Sequence, residues 1–418
     1  MHWNLIFFRM FRYPIFFIFL SQFATIVNSY ALLSRGDHTA NYVNDKIYFL
    51  GGHTNERPFT NDFFYLDVSK PFSTFLDLPI VDLTNITYVP KHARATSTIC
   101  GLKKDTIFIF GGDIENFNDD TTPLVFAFNT NNPEWSYANI GGIKPIRRRY
   151  SADICDKNAK MYIFGGTTAN TVPPFTYRND FDILDTMINP FIWKLGSDLN
   201  IPPPMDIATA TLLPDGRIVY LGGYKPSEFI PMTKIYLYDT IEGKWSIMYT
   251  NGTPPTARGF HTSVLTTDGR IIVYGGLDPK PVPDIVLVLD TTIQPFRWSI
   301  PSFSFIPTSV PYIGHTATLV GNYMIVAFGL FYNGAEEILS NKILLLDVGD
   351  KNDYKWVVDF TPNITIPKDT APTHSGKITI IGLMIFCFFV FVFGFIFKLI
   401  TWYYNEIIRD PAATPLIE

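Results

Sequence analysis

Apolar residues in this chain come in short runs of strand length, each closed by glycine or polar residues. The most regular run ends in paired glycines. It reads IYFLGG at Gly51 and Gly52, IFIFGG at Gly111 and Gly112, and MYIFGG at Gly165 and Gly166. It returns as IVYLGG at Gly222 and Gly223 and as IIVYGG at Gly275 and Gly276. MIVAFGL is a sixth, degenerate copy in which Gly329 is kept and Leu330 stands for the second glycine. Successive copies lie 53 to 60 residues apart. A second apolar run follows each copy, as in FFYLDV, IYLYDT and ILLLDV. A lone tryptophan comes next: Trp135, Trp193, Trp245, Trp298 and Trp356, with Phe75 at the matching distance in the first repeat. A further strand precedes each glycine pair and opens with Arg-x-x-His-Thr or a relative, complete at Arg258 to Thr262. Each unit therefore predicts four short strands.

A sheet of four short strands cannot cover both of its faces alone. Radial packing of like sheets covers them and leaves only short edges. The glycine pair permits a sharp turn at positive φ, and the tryptophan fills the wedge between neighbours. Asp215-Gly216 and Asp268-Gly269 are hairpin signals joining the first two strands of their units.

These repeats resemble the kelch repeat, whose period is about 50 residues, over roughly residues 35 to 360. The resemblance implies an all-β, six-bladed β-propeller occupying residues 30–360. The first repeat owns its opening strand, His38 to Val43, and the last its tryptophan strand, Trp356 to Phe360. The ring is therefore expected to close by edge contact without strand exchange.

The two ends read differently. Arg9 and Arg12 precede an apolar stretch from Pro14 to Val27, and small residues follow before Tyr30. That is a secretory signal over 1–29, with an uncleaved anchor as the alternative. Ile378 to Phe397 carries no charge, which is long enough for one transmembrane helix, assigned to 378–400. A linker, 361–377, and a cytosolic tail, 401–418, complete a single-pass type I arrangement with an extracellular or luminal propeller. Sequons at Asn85, Asn251 and Asn363 lie between the apolar segments and are expected to be glycosylated. The combination resembles fungal membrane-anchored kelch proteins.

Composition adds one exclusion. The net charge is −5 and charged residues make up 17%. A mildly acidic chain is not expected to bind nucleic acid, which calls for a basic face. The one dense basic run, Arg147 to Arg149, reads as a solvated loop edge.

Four features bear on chemistry. His38, His261 and His315 share one slot before their glycines, which Ser97, Ser151 and Ala208 hold elsewhere. Local hydrogen bonding is the expected role, with a metal site as the alternative. Arg35, Arg94, Arg148 and Arg258 share the start of the opening strand. In kelch proteins that bind acidic peptides, arginines there line the binding face; a structural ion pair is the other reading. Cys100 and Cys155 fall three and four residues after Ser97 and Ser151 in adjacent repeats. Secretion would permit a disulfide, but the one-residue offset is read as turning them to different sides, so two buried free thiols are expected, with the disulfide as the alternative. Galactose oxidase has a similar propeller, yet no context for its copper ligands or its Tyr–Cys crosslink is present.

The expectation is a non-enzymatic module without metal or cofactor, binding a protein or glycan. A propeller-scaffold enzyme of galactose-oxidase or glycosidase type is the alternative. The long segments after the glycine pairs lie on the face where the arginine row starts, and that face is expected to bind.

Overall fold

The computed structural model describes residues 32–362 except 77, 119–120, 138–139 and 335. Six sheets form the blades, each with four antiparallel strands of its own repeat in order from the axis outward; the third and fifth sheets add a short fifth strand, Ile140–Gly142 and Asn251–Gly252, parallel to the outermost one. The innermost strands are Thr39–Val43, Thr96–Cys100, Ala152–Cys155, Thr209–Leu212, Thr262–Leu265 and Thr316–Val320. Each packs against the innermost strands of its two neighbours, and the first packs against the last. This is an all-β, six-bladed propeller. Six clusters of buried apolar side chains lie between adjacent blades, so the core sits at the interfaces, as the tryptophan and glycine pattern requires.

The paired glycines have a cross-blade reason. The second residue of each pair donates its N–H to a backbone carbonyl at the start of the next blade. The six bonds run Gly52 to His92, Gly112 to Arg148, Gly166 to Met205, Gly223 to Arg258, Gly276 to Tyr312 and Gly329 to Arg35, at 2.6 to 2.9 Å. The last of them closes the ring. The backbone of the next blade crosses where a side chain on the first glycine would stand: a Cβ on Gly275 would meet the Tyr312 oxygen at 2.9 Å, and φ there is +72°. The second glycine faces the start of its own blade, where a Cβ on Gly52 would meet the Gly36 oxygen at 2.5 Å at φ +94°. In the degenerate sixth copy Gly329 matches the second glycine, not the first. Phe328 holds the first position at φ 60° and is fully buried.

Blade 1 departs from the expected spacing. Its outer strand is Ile80–Asp82, and Ile80 stands opposite Leu66. The same register puts Trp135 opposite Phe128, Trp193 opposite Leu184, Trp245 opposite Tyr238, Trp298 opposite Leu289 and Trp356 opposite Leu346. Ile80 therefore takes the tryptophan position, and Phe75 is 81% exposed in a turn. The delay comes from Phe72–Ser73, which pairs with Asp359–Phe360 from the other end of the described chain. Phe72 and Phe360 stack at 4.9 Å between centroids. Every blade keeps its own four strands, and this short clasp joins the sixth to the first.

The half-cystine arrangement differs from expectation too. Cys100 and Cys155 form a disulfide, with Cα atoms 5.6 Å apart. Cys100 pairs with Thr106 and Cys155 with Met161, one step apart in register. Adjacent blades meet by opposite faces, so residues of opposite parity point at each other across the interface. The offset that separates side chains within one sheet brings these two together.

Among the described residues no helix is long and apolar enough to cross a membrane. The leader 1–29, the linker beyond residue 362, the span 378–400, the tail 401–418 and the sequon at Asn363 lie outside the described residues.

Candidate functional site

The arginine row lies beneath the loop face rather than on it. Arg35, Arg148 and Arg258 are at most 1% exposed. They pair with Asp62 at 3.1 Å, Asp182 at 2.7 Å and Asp284 at 2.6 Å. Unpaired, a guanidinium at such depth would be strongly destabilising; paired, it ties the start of one strand to the third strand of its own blade. The cross-blade bonds put His92, Met205 and Tyr312 at this position in the other blades. Arg94 is thus two residues out of register with the row. The basic run is not a solvated edge either: Arg147, Arg148 and Arg149 are all buried, with Arg147 donating to the Gly111 oxygen at 2.9 Å and Arg149 paired with Asp113 at 2.8 Å.

The three histidines hold blades together. Nε2 of His38, His261 and His315 lies 3.0 to 3.1 Å from Oγ1 of Thr316, Thr209 and Thr262, each on the preceding blade. Burial, followed by the charge of Arg258, pushes the His261 imidazole down to about 3, and burial takes His315 to about 3. Burial and then Arg35 hold His38 well below its usual range. Ala95, not Ser97, holds the same slot in blade 2, since Thr96 stands opposite Phe110 as Thr262 stands opposite Tyr274. Among the described residues no group of three His, Cys, Asp or Glu is placed to hold a metal.

One residue after the arginine position, and one more, the chain turns around the channel mouth. Asp37, Arg94, Tyr150, Ile207, Phe260 and Gly314 all take positive φ there, 52° to 65°. Their backbones bond in sequence: Asp37 N–H to Gly314, Arg94 to Asp37, Tyr150 to Arg94, Ile207 to Tyr150 and Phe260 to Ile207, at 2.9 to 3.2 Å. Arg94 donates to the Tyr150 hydroxyl at 2.9 Å and lies 3.3 Å from Asp37 and 3.1 Å from Asp113. This ring presents its side chains to the loop face.

Beside the ring opens a cavity of about 550 Å³. Its walls come from the ring residues Arg94, Tyr150, Ile207 and Phe260 and from the segments after two glycine pairs: Thr167, Phe175 and Tyr177 of blade 3, and Tyr224 and Phe229 of blade 4. Arg149 and Asp206 complete it. Tyr150 meets Phe260 edge-on at 5.3 Å, and Tyr224 meets Phe229 edge-on at 4.9 Å. Asp206 is 9% exposed, and its Oδ1 has no hydrogen-bond partner within the protein. Burial pushes its carboxyl up to about 7, against the pull of Arg149. A second cavity, about 270 Å³, is the central channel, lined by starts of the inner strands. Asp153 sits in it, accepts a hydrogen bond from the Thr96 hydroxyl, and is pushed by burial to about 7.

Of the residues nominated from sequence, only Arg94 lines the large cavity; His38, His261 and His315 belong to the channel mouth. Phe175, Tyr177, Tyr224 and Phe229 fall in the segments after the glycine pairs, on the face expected to bind, although the sequence singles out none of them; Tyr150, Asp206 and Phe260 lie outside those segments. Tyr150 and Phe260 occupy the residue just before the histidine slot, and alignment of that column across the repeats finds them. The rest lie in the irregular parts of their repeats and carry no periodic signal.

Two overlapping stretches, 37–276 and 208–394, match the family described as the KLHDC2/KLHL20/DRC7 Kelch-repeats domain. The chain belongs to the kelch-repeat family. Kelch domain-containing protein 3 from Bos taurus is 26% identical over 66% of this chain and 70% of its own length. Acyl-CoA-binding domain-containing protein 5 from Arabidopsis thaliana is 26% identical over 77% of this chain. Putative adagio-like protein 2 from Oryza sativa subsp. japonica is 25% identical over 58%. The chain spans under half the length of these two plant relatives, 48% and 38%. The solved structure of YjhT aligns with 78% of this kelch chain at a TM-score of 0.56 and 14% identity, which speaks to the fold alone.

Proposed function

We propose that this kelch propeller is a non-enzymatic recognition module that binds a protein partner through the aromatic cavity on its loop face. The observation that carries the reading is that cavity. It is concave and apolar-walled, holds a few convergent charged groups, and is built from irregular segments on a rigid ring. The enzyme alternative lacks parts. A glycosidase works with two carboxylates flanking the scissile bond, and among the described residues lining this cavity Asp206 is the sole carboxylate. Cys100 and Cys155 are committed to each other, which removes them from a Tyr–Cys crosslink.

The propeller is tethered, in this reading, as a type I membrane protein with the ectodomain in an oxidising compartment. The apolar segments at the two ends support it. So does the disulfide, a bond that persists in secretory compartments. Asn85 and Asn251 are both exposed, as glycan acceptors must be.

Cells expressing the full chain provide the test. N-glycosidase treatment is expected to raise its gel mobility. Crosslinking on intact cells is expected to capture a partner that is lost with the double variant Tyr177→Ala, Phe229→Ala and kept with Ile241→Ala, an exposed residue of a turn between strands. Capture indifferent to the cavity variant overturns the binding assignment. An ectodomain reachable only from the cytosol overturns the topology.

A further inference from the structure

We propose that the loop-face cavity between blades 3 and 4 accepts a basic side chain of the partner, its cation seated on the aromatic walls against the Asp206 carboxylate. The proposal rests on the protein-binding reading above and names the chemistry of what enters the site.

Three observations carry it. The first is the charge count. Arg94 and Arg149 line the cavity, but Asp113 lies 3.1 Å from Arg94 and 2.8 Å from Arg149, and Asp37 lies 3.3 Å from Arg94. Two guanidinium groups are thus offset by two carboxylates. Asp206 is left over, and the ionised site has a net negative charge. The second is the state of Asp206 itself. Its backbone is pinned by reciprocal hydrogen bonds with Tyr224, both 3.0 Å. The side chain is buried in the cavity wall with Oδ1 unpartnered. A buried carboxylate oxygen without a partner is unfavourable until a cation or a donor reaches it. The third is the wall. Tyr150, Phe175, Tyr177, Tyr224, Phe229 and Phe260 supply π-faces and edges, and rings around a desolvated cation attract it through their quadrupoles. Phe175 already carries the Arg149 guanidinium 4.3 Å from its centroid, so this wall is one on which a cation rests.

Other ligand chemistries fit less well. An anion would have to draw the arginines away from Asp37 and Asp113 while facing Asp206. A neutral sugar would satisfy Oδ1 with a hydroxyl but leave the buried charge uncompensated. The ionisable groups sharing the cavity with Asp206 are Arg94, Arg149, Tyr150, Tyr177 and Tyr224. Burial raises Tyr150 and Tyr177. Asp206, at about 7, is therefore the cavity group that changes charge near neutrality, and cation binding should weaken as the pH falls through that value.

The experiment uses the full chain in detergent and labelled glycine–serine pentapeptides with one central lysine, trimethyllysine, arginine, norleucine or glutamate, read by fluorescence anisotropy. At least one basic peptide is expected to bind more than tenfold more tightly than the norleucine and glutamate peptides at pH 8. That preference is expected to shrink about tenfold or more by pH 5.5, in line with protonation of one group. Asp206→Asn should abolish both the preference and its pH dependence. The same variant supplies a ligand-free check: a folded pKa raised from 3.8 means that stability falls as the pH rises toward 7, so Asp206→Asn should melt higher than wild type at pH 8 and equally at pH 4. Failure of every basic peptide to bind, equal binding by norleucine, preference for glutamate, Asp206-dependent binding of methyl pyranosides, or a lower melting point of the variant at pH 8 each overturns the proposal. Loss of partner capture in the cavity variant alongside any of these leaves the protein-binding reading standing.

Discussion

At the residue scale, the repeated slots do two jobs that the sequence pattern does not separate. The arginine and histidine positions form one motif in the sequence, yet the arginines pair within a blade and the histidines reach back to the blade before. Both are buried and structural. The ring position between them lines the loop-face cavity, through Arg94, Tyr150, Ile207 and Phe260. The histidines carry a pH consequence. His261 and His315 have folded pKa values near 3 against an ordinary 6.5, so the unfolded chain takes up protons first. Their effect on stability is full above about 6.5 and is lost progressively as the pH drops toward 3. Asp153 and Asp206 work in the opposite direction over 3.8 to about 7. His261→Phe removes one imidazole and leaves Thr209 without its partner. It is expected to lose about 1 kcal/mol at pH 8 but to show a smaller drop in urea midpoint between pH 8 and pH 5. A variant as acid-sensitive as wild type would show that His261 does not contribute to that drop.

At the element scale, parity and close approach decide what a strand residue does. The tryptophans at regular intervals were legible because each stands opposite the same register position. Trp245 shows the result: it is 4% exposed, touches Phe164 and Phe181 of blade 3 and Tyr220 and Tyr238 of its own blade, and donates Nε1–H to the Ser197 oxygen at 3.0 Å. Trp245→Ala is expected to cost about 3–5 kcal/mol, measured by denaturant unfolding. Phe75→Ala, at an exposed turn, is expected to change nothing measurable in the same assay. A large loss at Phe75 would contradict the register of blade 1. Counting from the second strand misplaces Phe75 because it ignores the inserted clasp strand. The disulfide escapes the sequence for a different reason: parity compares residues within one sheet, whereas blades touch by opposite faces. Nothing in either local sequence encodes which face meets which.

At the scale of the whole molecule, closure is a distributed property. The contact between the inner strands Thr39–Val43 and Thr316–Val320, the bond from Gly329 N–H to the Arg35 oxygen and the two-residue clasp all join the last blade to the first. Phe360 is 1% exposed, stacked on Phe72 and tilted against Tyr323 at 5.1 Å. Phe360→Ala should lower stability by about 3 kcal/mol or more. It should also speed amide exchange in Phe72–Ser73 and the outer strand of blade 1 more than in blades 3 and 4. Uniform exchange across the ring would mean that the clasp adds no local closure.

The sequence by itself determined the repeat, the blade count and the placement of the glycines and tryptophans between blades. Those depend on period-two alternation, turn chemistry and side-chain volume, all of which act within about ten residues. It also placed the loop face, because strand direction follows from strand order. The tertiary structure alone decided which residues share the cavity. Tyr150, Phe175, Tyr177, Asp206, Tyr224 and Phe229 come from two blades, and the ring positions are brought beside one another only when the inner strands close around the axis. It also decided that Cys100 meets Cys155 and that the arginine row turns inward. The physical reason is shared: each contact joins residues that lie about half a repeat or more apart in sequence, and no local rule specifies how such distant surfaces meet.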